Sequence, residues 1–209
     1  MSIPDKSIDP RLLSAAREEF LKNGFEKSSL AVICKRAGVT TGALYNRFSG
    51  KEDLFSALVT DTIRDMEEYV LKIESVDLTS CTDRQIYDAF FMSSEINRQW
   101  LEFLYEHKEG LTLLIRSSAG TRYGSFHHDW VKIMSRFDNK YYQEAYRRGL
   151  TTKLVSEEEM HVLTYGVWGL FYEPFFYDFA WEQIERHAEI IQDFVDWHKA
   201  LGIKNPSVD

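Results

Sequence analysis

Helix caps and helix stops punctuate almost the whole of this chain, and no segment alternates apolar and polar residues long enough to read as a strand. Asp9 followed by Pro10 can open a helix that Gly24 ends. Leu12, Leu13, Ala16 and Phe20 share one of its faces. Ser28 or Ser29 can cap a second helix, with Ile33 and Ala37 inward and Gly38 as its stop. Thr40 can cap a third, over Thr41 to Phe48. Ser49-Gly-Lys-Glu52, Thr82-Asp-Arg-Gln85 and Ser156-Glu-Glu-Glu159 read as capping boxes. The first opens a helix running past Met66 towards Lys72, and the second opens one reaching about Glu106. A long helix bearing Phe126, Trp130, Ile133, Phe137 and Tyr141 ends at Gly149. Pro174 should kink or end the helix opened by the third box. The pattern predicts an all-α chain of about nine helices, with a frayed tail at 205–209.

The chain's 209 residues can bury a large core without metal or disulfide staples. Cys34 and Cys81 make no disulfide framework, which points to a reduced, cytoplasmic setting. The most apolar stretch, Tyr165 to Tyr177, carries Glu173 and Pro174 and is too short to cross a bilayer, so no membrane partner is expected. The opening MSIPDKSIDP has no apolar signal region. Charge is unevenly placed. Residues 1–51 hold nine Lys/Arg against five Asp/Glu, for +4, within a chain of net charge −8; the remainder therefore carries −12. A positive head on a negative body points to a polyanion met by the head alone.

The joint Ala37-Gly38-Val39-Thr40 has the design of a helix-turn-helix. Glycine takes the left-handed turn, Val39 plugs the corner, and Thr40 caps the next helix. In such a unit the following helix enters the DNA major groove. Leu44 and Phe48, four apart, can face inward, leaving Thr41, Gly42, Tyr45 and Asn46 outward. Small residues at Thr41, Gly42 and Ala43 allow close approach to base edges. Tyr45 suits a phosphate or a thymine methyl, Asn46 a base or phosphate, and Arg47 and Lys51 phosphates. Ser29 and Thr40, at the two helix starts, complete the candidate DNA-binding set.

The run Gly24-Phe25, Ser28-Ser29, Ile33, Ala37-Gly38-Val39-Thr40, Gly42, Leu44-Tyr45, Phe48, Lys51-Glu52, Leu54 closely resembles the N-terminal signature of TetR-family transcriptional regulators. It departs at Cys34, where the family usually has Ala, and at Ala31 and Val32, where polar residues are commoner. The resemblance covers about residues 9–58. It implies an N-terminal three-helix DNA-binding domain, here 1–51, and a helical effector-binding and dimerisation domain, here 52–209. It further implies a homodimer on a palindromic DNA operator, released by a small-molecule effector, in a bacterial cytoplasm. In the family, the helix that here starts near Glu52 passes the ligand signal to the DNA-binding heads.

In the body, aromatic residues are too numerous to be plain filler, since buried Trp and Tyr want partners for their polar atoms. Trp100, Phe126, Trp130, Phe137, Tyr165 and Trp168, with Asn97, His107 and Arg116 as polar groups, are the candidate lining of a pocket for an apolar or aromatic effector. Gly166 and Gly169 leave a flat spot on a helix apolar on most faces. The final helix carries a second stripe of Ile190, Phe194, Trp197 and Leu201. These six are the candidate dimer interface.

No enzyme motif is present, so no catalytic residue, metal ligand or cofactor is expected. His127 and His128 are adjacent on a helix and diverge by about 100°, while His187 and His198 are about 16 Å apart along a helix axis. The competing reading is a helical ligand-carrying or interaction module without sequence-specific DNA binding.

Overall fold

The computed structural model describes residues 7–206, the side chain of Ile73 excepted. The tail expected to fray lies, from residue 207 onward, outside the described residues. Among the described residues there is no strand. The helices are α1 (Ile8–Lys27), α2 (Leu30–Ala37), α3 (Thr41–Tyr45), α4 (Lys51–Glu74), α5 (Asp83–Asp88), α6 (Ser94–Glu106), α7 (Lys108–Arg116), α8 (Phe126–Arg147), α9 (Glu157–Phe176), α10 (Trp181–Phe194) and α11 (Trp197–Leu201). That makes eleven α-helices among the described residues, where about nine helices were expected.

Two of the expected helices are each divided. The helix predicted from Thr82 to Glu106 stops after Asp88, although its capping box forms as expected. Ser93 supplies a fresh cap, its hydroxyl accepting from the Ile96 N–H at 3.2 Å, and α6 begins there. The final helix likewise breaks at Val195, which is extended. Asp196 then caps α11 by accepting from the Lys199 N–H at 2.9 Å. A third correction concerns Ser49: its N–H donates to Asp53 at 2.9 Å, so the acid that reaches back to it is Asp53 and not the expected Glu52. Glu52 instead accepts from the Arg122 N–H. The third helix is also shorter than expected, ending at Tyr45 with turns through Phe48. Helix α9 runs only two residues past Pro174.

The chain packs as two compact units. One takes the residues up to Glu67 with His107–His127; the other takes Glu68–Glu106 and the chain from His128. The core of the first unit joins Leu12, Ala16 and Phe20 of α1, Ile33 and Ala37 of α2, and Leu44 of α3. Leu54 and Phe55 of α4 and Leu113 and Leu114 of α7 complete it. Phe20, Phe25 and Phe55 form a ring triangle with centroids 5.2–5.8 Å apart. Helix α7 is bound tightly here. A Cβ on Gly110 would fall 2.1 Å from the Thr62 hydroxyl of α4, so only glycine permits that approach. Arg17 of α1 also pairs with Glu109 of α7 at 2.8 Å.

The second unit has a core of Phe90, Tyr142, Met160, Trp197, Leu201 and Ile203, and a smaller cluster around Leu78, Ile86, Ala145 and Leu150. Asn97 ties α6 to α10, its amide donating to the Met92 and Ala188 carbonyls at 3.2 and 3.3 Å. His187 of α10 contacts the Leu170 carbonyl of α9 at 2.8 Å.

Candidate nucleic-acid interface and ligand cavity

The corner between α2 and α3 forms as its residues dictate. Gly38 is left-handed at φ +66. Its N–H reaches the Lys35 carbonyl, and the Val39 N–H reaches that of Cys34 at 3.0 Å, the paired bonds of a Schellman stop. Thr40 caps α3 by accepting from the Ala43 N–H at 3.1 Å. Leu44 is fully buried and fixes the rotation of α3, while Phe48 packs half-buried on the same core. Thr41, Gly42, Tyr45 and Asn46 are then exposed in a row, with Tyr45 at 55%. Ala43 and Ser29 are half-buried, and Thr40 is exposed.

Gly42 is informative. A Cβ there would meet nothing closer than the Thr40 hydroxyl at 3.9 Å. Glycine within a helix costs up to about 1 kcal/mol relative to alanine, and nothing inside the unit asks for it.

The basic residues of the head are largely engaged within it. Arg47 pairs with Asp9 of α1 at 2.5 Å and donates to the Ala43 carbonyl. Arg36 reaches Glu18 and Glu19. Arg11 donates to the Ala37 carbonyl at 3.1 Å. The Lys51 ammonium donates to the carbonyls of Phe25, Glu26 and Ser28 and lies 4.5 Å from the Phe25 ring centre. Lys51, expected to face phosphate, thus closes the end of α1. Lys22, Lys27 and Lys35 are exposed.

In the second unit, side chains line a partly open cavity of about 260 Å³. Tyr69, Trp100, Met134, Phe137, Tyr141 and Trp168 are part of its apolar wall, with Asp88, Asp138 and Thr164 as polar members. Trp100 stands edge-on to Trp168 at 5.2 Å and lies 4.2 Å from Tyr69. Burial, with Tyr141 nearby, pushes the Tyr69 phenol up to about 12. Asp138 accepts the Thr164 hydroxyl at 2.7 Å, and among the described residues no cation pairs with it. Burial raises its pKa to about 6, the Thr164 hydrogen bond acting in the opposite direction.

Three of the nine expected cavity residues, Trp100, Phe137 and Trp168, line this cavity. His107, Arg116 and Phe126 belong to the first unit. There His107 lies 3.6 Å from Asp65, Arg116 is exposed, and Phe126 packs on the head's core. Asn97 is used up between helices. Trp130 is buried against Trp168 without lining the space, and Tyr165 is exposed. Asp138 escaped sequence reading, yet it left a signal. It sits in the i, i+4 row Trp130, Met134, Asp138, Tyr142, where every other member is buried.

Of the expected dimer residues, Ile190 and Phe194 are 58% and 75% exposed. Gly166 and Gly169 have open space above them. Trp197 and Leu201 are instead buried in the unit's own core, because the break at Val195 turns α11 inward. Val162, Leu163, Tyr165 and Phe176 of α9 are further exposed apolar residues. No helix of the described residues is long and apolar enough to cross a membrane.

Comparison with known proteins bears on the head most directly. The family described as "Bacterial regulatory proteins, tetR family" matches residues 12–58. The HTH-type transcriptional regulator UidR of Escherichia coli K12 is 45% identical over 49 residues, covering 23% of this chain and 25% of that protein. The chain thus spans about a quarter of the length of the first curated relatives it matches. The regulator BetI of Stenotrophomonas maltophilia is 25% identical over 144 residues, covering 63% of this chain and 74% of its own. Among solved structures, a TetR-like transcriptional regulator from Rhodococcus sp. RHA1 superposes with a TM-score of 0.57 at 13% identity, covering 96% of this chain and 100% of that one. SCO3833 of Streptomyces coelicolor does so at 0.54 and 18%, covering 94% of each chain. At such identities the structures speak for the fold alone, and the head's sequence carries the kinship. Residues 12–58 thus match the helix-turn-helix segment of the TetR family of bacterial regulatory proteins, within an all-helical fold.

Proposed function

We propose that the protein is a DNA-binding transcriptional regulator, a homodimeric repressor released from a palindromic operator by a small effector. The outward row of α3 carries this reading. Thr41, Gly42, Tyr45 and Asn46 are exposed on a helix whose rotation Leu44 fixes, and Gly42 has no internal reason to lack a side chain. A groove-reading helix needs such a close backbone approach. Ser29 and Thr40 flank the row. The exposed apolar residues of α9 and α10, centred on Ile190 and Phe194, support pairing of two chains. Two-fold pairing then requires half-sites about one helical turn apart, roughly 34–36 Å. The cavity of the second unit is the effector site in this reading, and effector binding shifts the dimer only by its differential affinity for the two states.

The test is fluorescence anisotropy on DNA from just upstream of the protein's own gene, with a random duplex beside it. Binding at least about a thousand-fold tighter to the upstream DNA is expected. Equal affinity for both, together with no consensus after selection from random DNA, would overturn the reading.

A further inference from the structure

We propose that the cavity of the second unit takes a small lipophilic organic cation, its charge set against the Asp138 carboxylate and its apolar body among Tyr69, Trp100, Phe137 and Trp168. The proposal rests on the reading of this cavity as the effector site.

A carboxylate facing an apolar cavity is a costly element unless something compensates its charge. Inside the protein nothing does: Thr164 is its one hydrogen-bond partner among the described residues, and no Lys, Arg or His reaches it. Asparagine would accept the Thr164 hydroxyl equally well without that cost. The fold therefore keeps a charge where a neutral group would serve the fold better. The remaining wall explains what kind of charge it answers. Tyr69, Trp100, Phe137, Tyr141 and Trp168 line the same space, and aromatic faces attract cations. At neutral pH the carboxyl, with its pKa raised to about 6, is still mostly ionised. A hard divalent metal fits poorly, since it wants six or more oxygens. Asp138 and Thr164 offer few. At about 260 Å³ the cavity lies below the roughly 300–1,000 Å³ of sites for drug-sized ligands, so the cation is small.

Two matched pairs of probes test this on the whole protein without DNA, read by calorimetry and tryptophan quenching. The pairs are phenyltrimethylammonium against tert-butylbenzene and 2-phenylethylammonium against 2-phenylethanol. At least one cation should bind about ten-fold or more tighter than its neutral counterpart, and the pair that does so separates a quaternary from a protonated amine. Asp138→Asn should abolish that preference while leaving the neutral compound's affinity in place. Neutral compounds binding as tightly as the cations, or no saturable binding of either cation up to about 1 mM, would overturn the proposal on the unaltered protein alone. So would an unchanged preference in Asp138→Asn. DNA recognition is measured separately by anisotropy. Operator binding without cation binding sinks this inference only, and cation binding without operator preference sinks only the regulatory reading.

Discussion

The Lys51 ammonium donates to the Phe25 carbonyl at 2.7 Å, from the first turn of α4 to the end of α1. Two more carbonyls, of Glu26 and Ser28, share it. A residue whose position promises a phosphate contact thus holds the head together. Lys51→Met should lower the unfolding free energy by about 1–2 kcal/mol, since hydrogen bonds to a charged group are lost from a half-buried site. Thermal denaturation checks this. A variant with unchanged Tm and weakened DNA binding would return Lys51 to the phosphate role.

Gly42→Ala and Gly38→Ala should act in opposite ways. Gly42 is in helical backbone with open space, so alanine there should raise stability by up to about 1 kcal/mol while weakening operator binding. Gly38 sits at φ +66, where a Cβ costs about 1–2 kcal/mol although it would touch only Arg11 at an ordinary 3.6 Å. Denaturant unfolding and anisotropy on both variants separate the effects. If Gly42→Ala leaves operator affinity unchanged, the close approach of α3 to DNA is wrong.

Stability should depend on pH through Asp138. Its folded pKa of about 6 lies above the ordinary 3.8, so the folded state holds its proton more firmly than the unfolded chain. The penalty is absent below about pH 4, grows as pH rises towards 6, and is complete above it, on the order of 3 kcal/mol. Asp138→Asn should therefore be more stable than the parent at pH 7, and the gap should close on acidification. The other titratable residues lining the cavity do not confuse the window. Tyr69 and Tyr141 stay neutral throughout, and Asp88 is exposed and paired with Arg84 at 2.9 Å.

Phe194→Glu should convert a dimer to monomers in sedimentation experiments without lowering monomer stability, because the side chain is 75% exposed within the chain. Trp197→Ala should do the reverse damage, costing about 3–5 kcal/mol from the second unit's core. A fully dimeric Phe194→Glu would place the interface elsewhere.

A fragment ending at residue 51 should not fold. It lacks Leu54, Phe55, Leu113 and Leu114, all inside the head's core. Adding residues to 127 should restore cooperative unfolding, which circular dichroism would register.

The head was legible because its signals are local. Gly38, Thr40 and Leu44 each determine a backbone angle or a face within a few residues, and the structure returns them where expected. What escaped is what depends on distant partners. The internal partners of Arg47 and Lys51, Asp9 and the end of α1, lie outside any local pattern. The breaks at Ser93 and Asp196 were written in ordinary caps, but long apolar stripes on either side outweighed them. Trp197 and Leu201 consequently moved from a supposed interface to the core. Nothing local in His107, Arg116 and Phe126 separates them from the cavity residues, yet α7 and its following turn pack on the head. Asp138 leaves only a faint local mark, a lone acid in a row of otherwise buried residues.

The 2.1 Å that would separate a Cβ on Gly110 from Thr62 has a mechanical meaning. With only the short Thr62 side chain between them, α7 and the N-terminal half of α4 have no soft layer to shear across. Thr62 and Gly110 act as a rivet. Any rotation of α4 in the first unit must carry α7 with it, and with them α1, which shares their core. The head then moves as one stiff body, so a small turn of one long helix is delivered undiminished to α3, the helix proposed to read DNA.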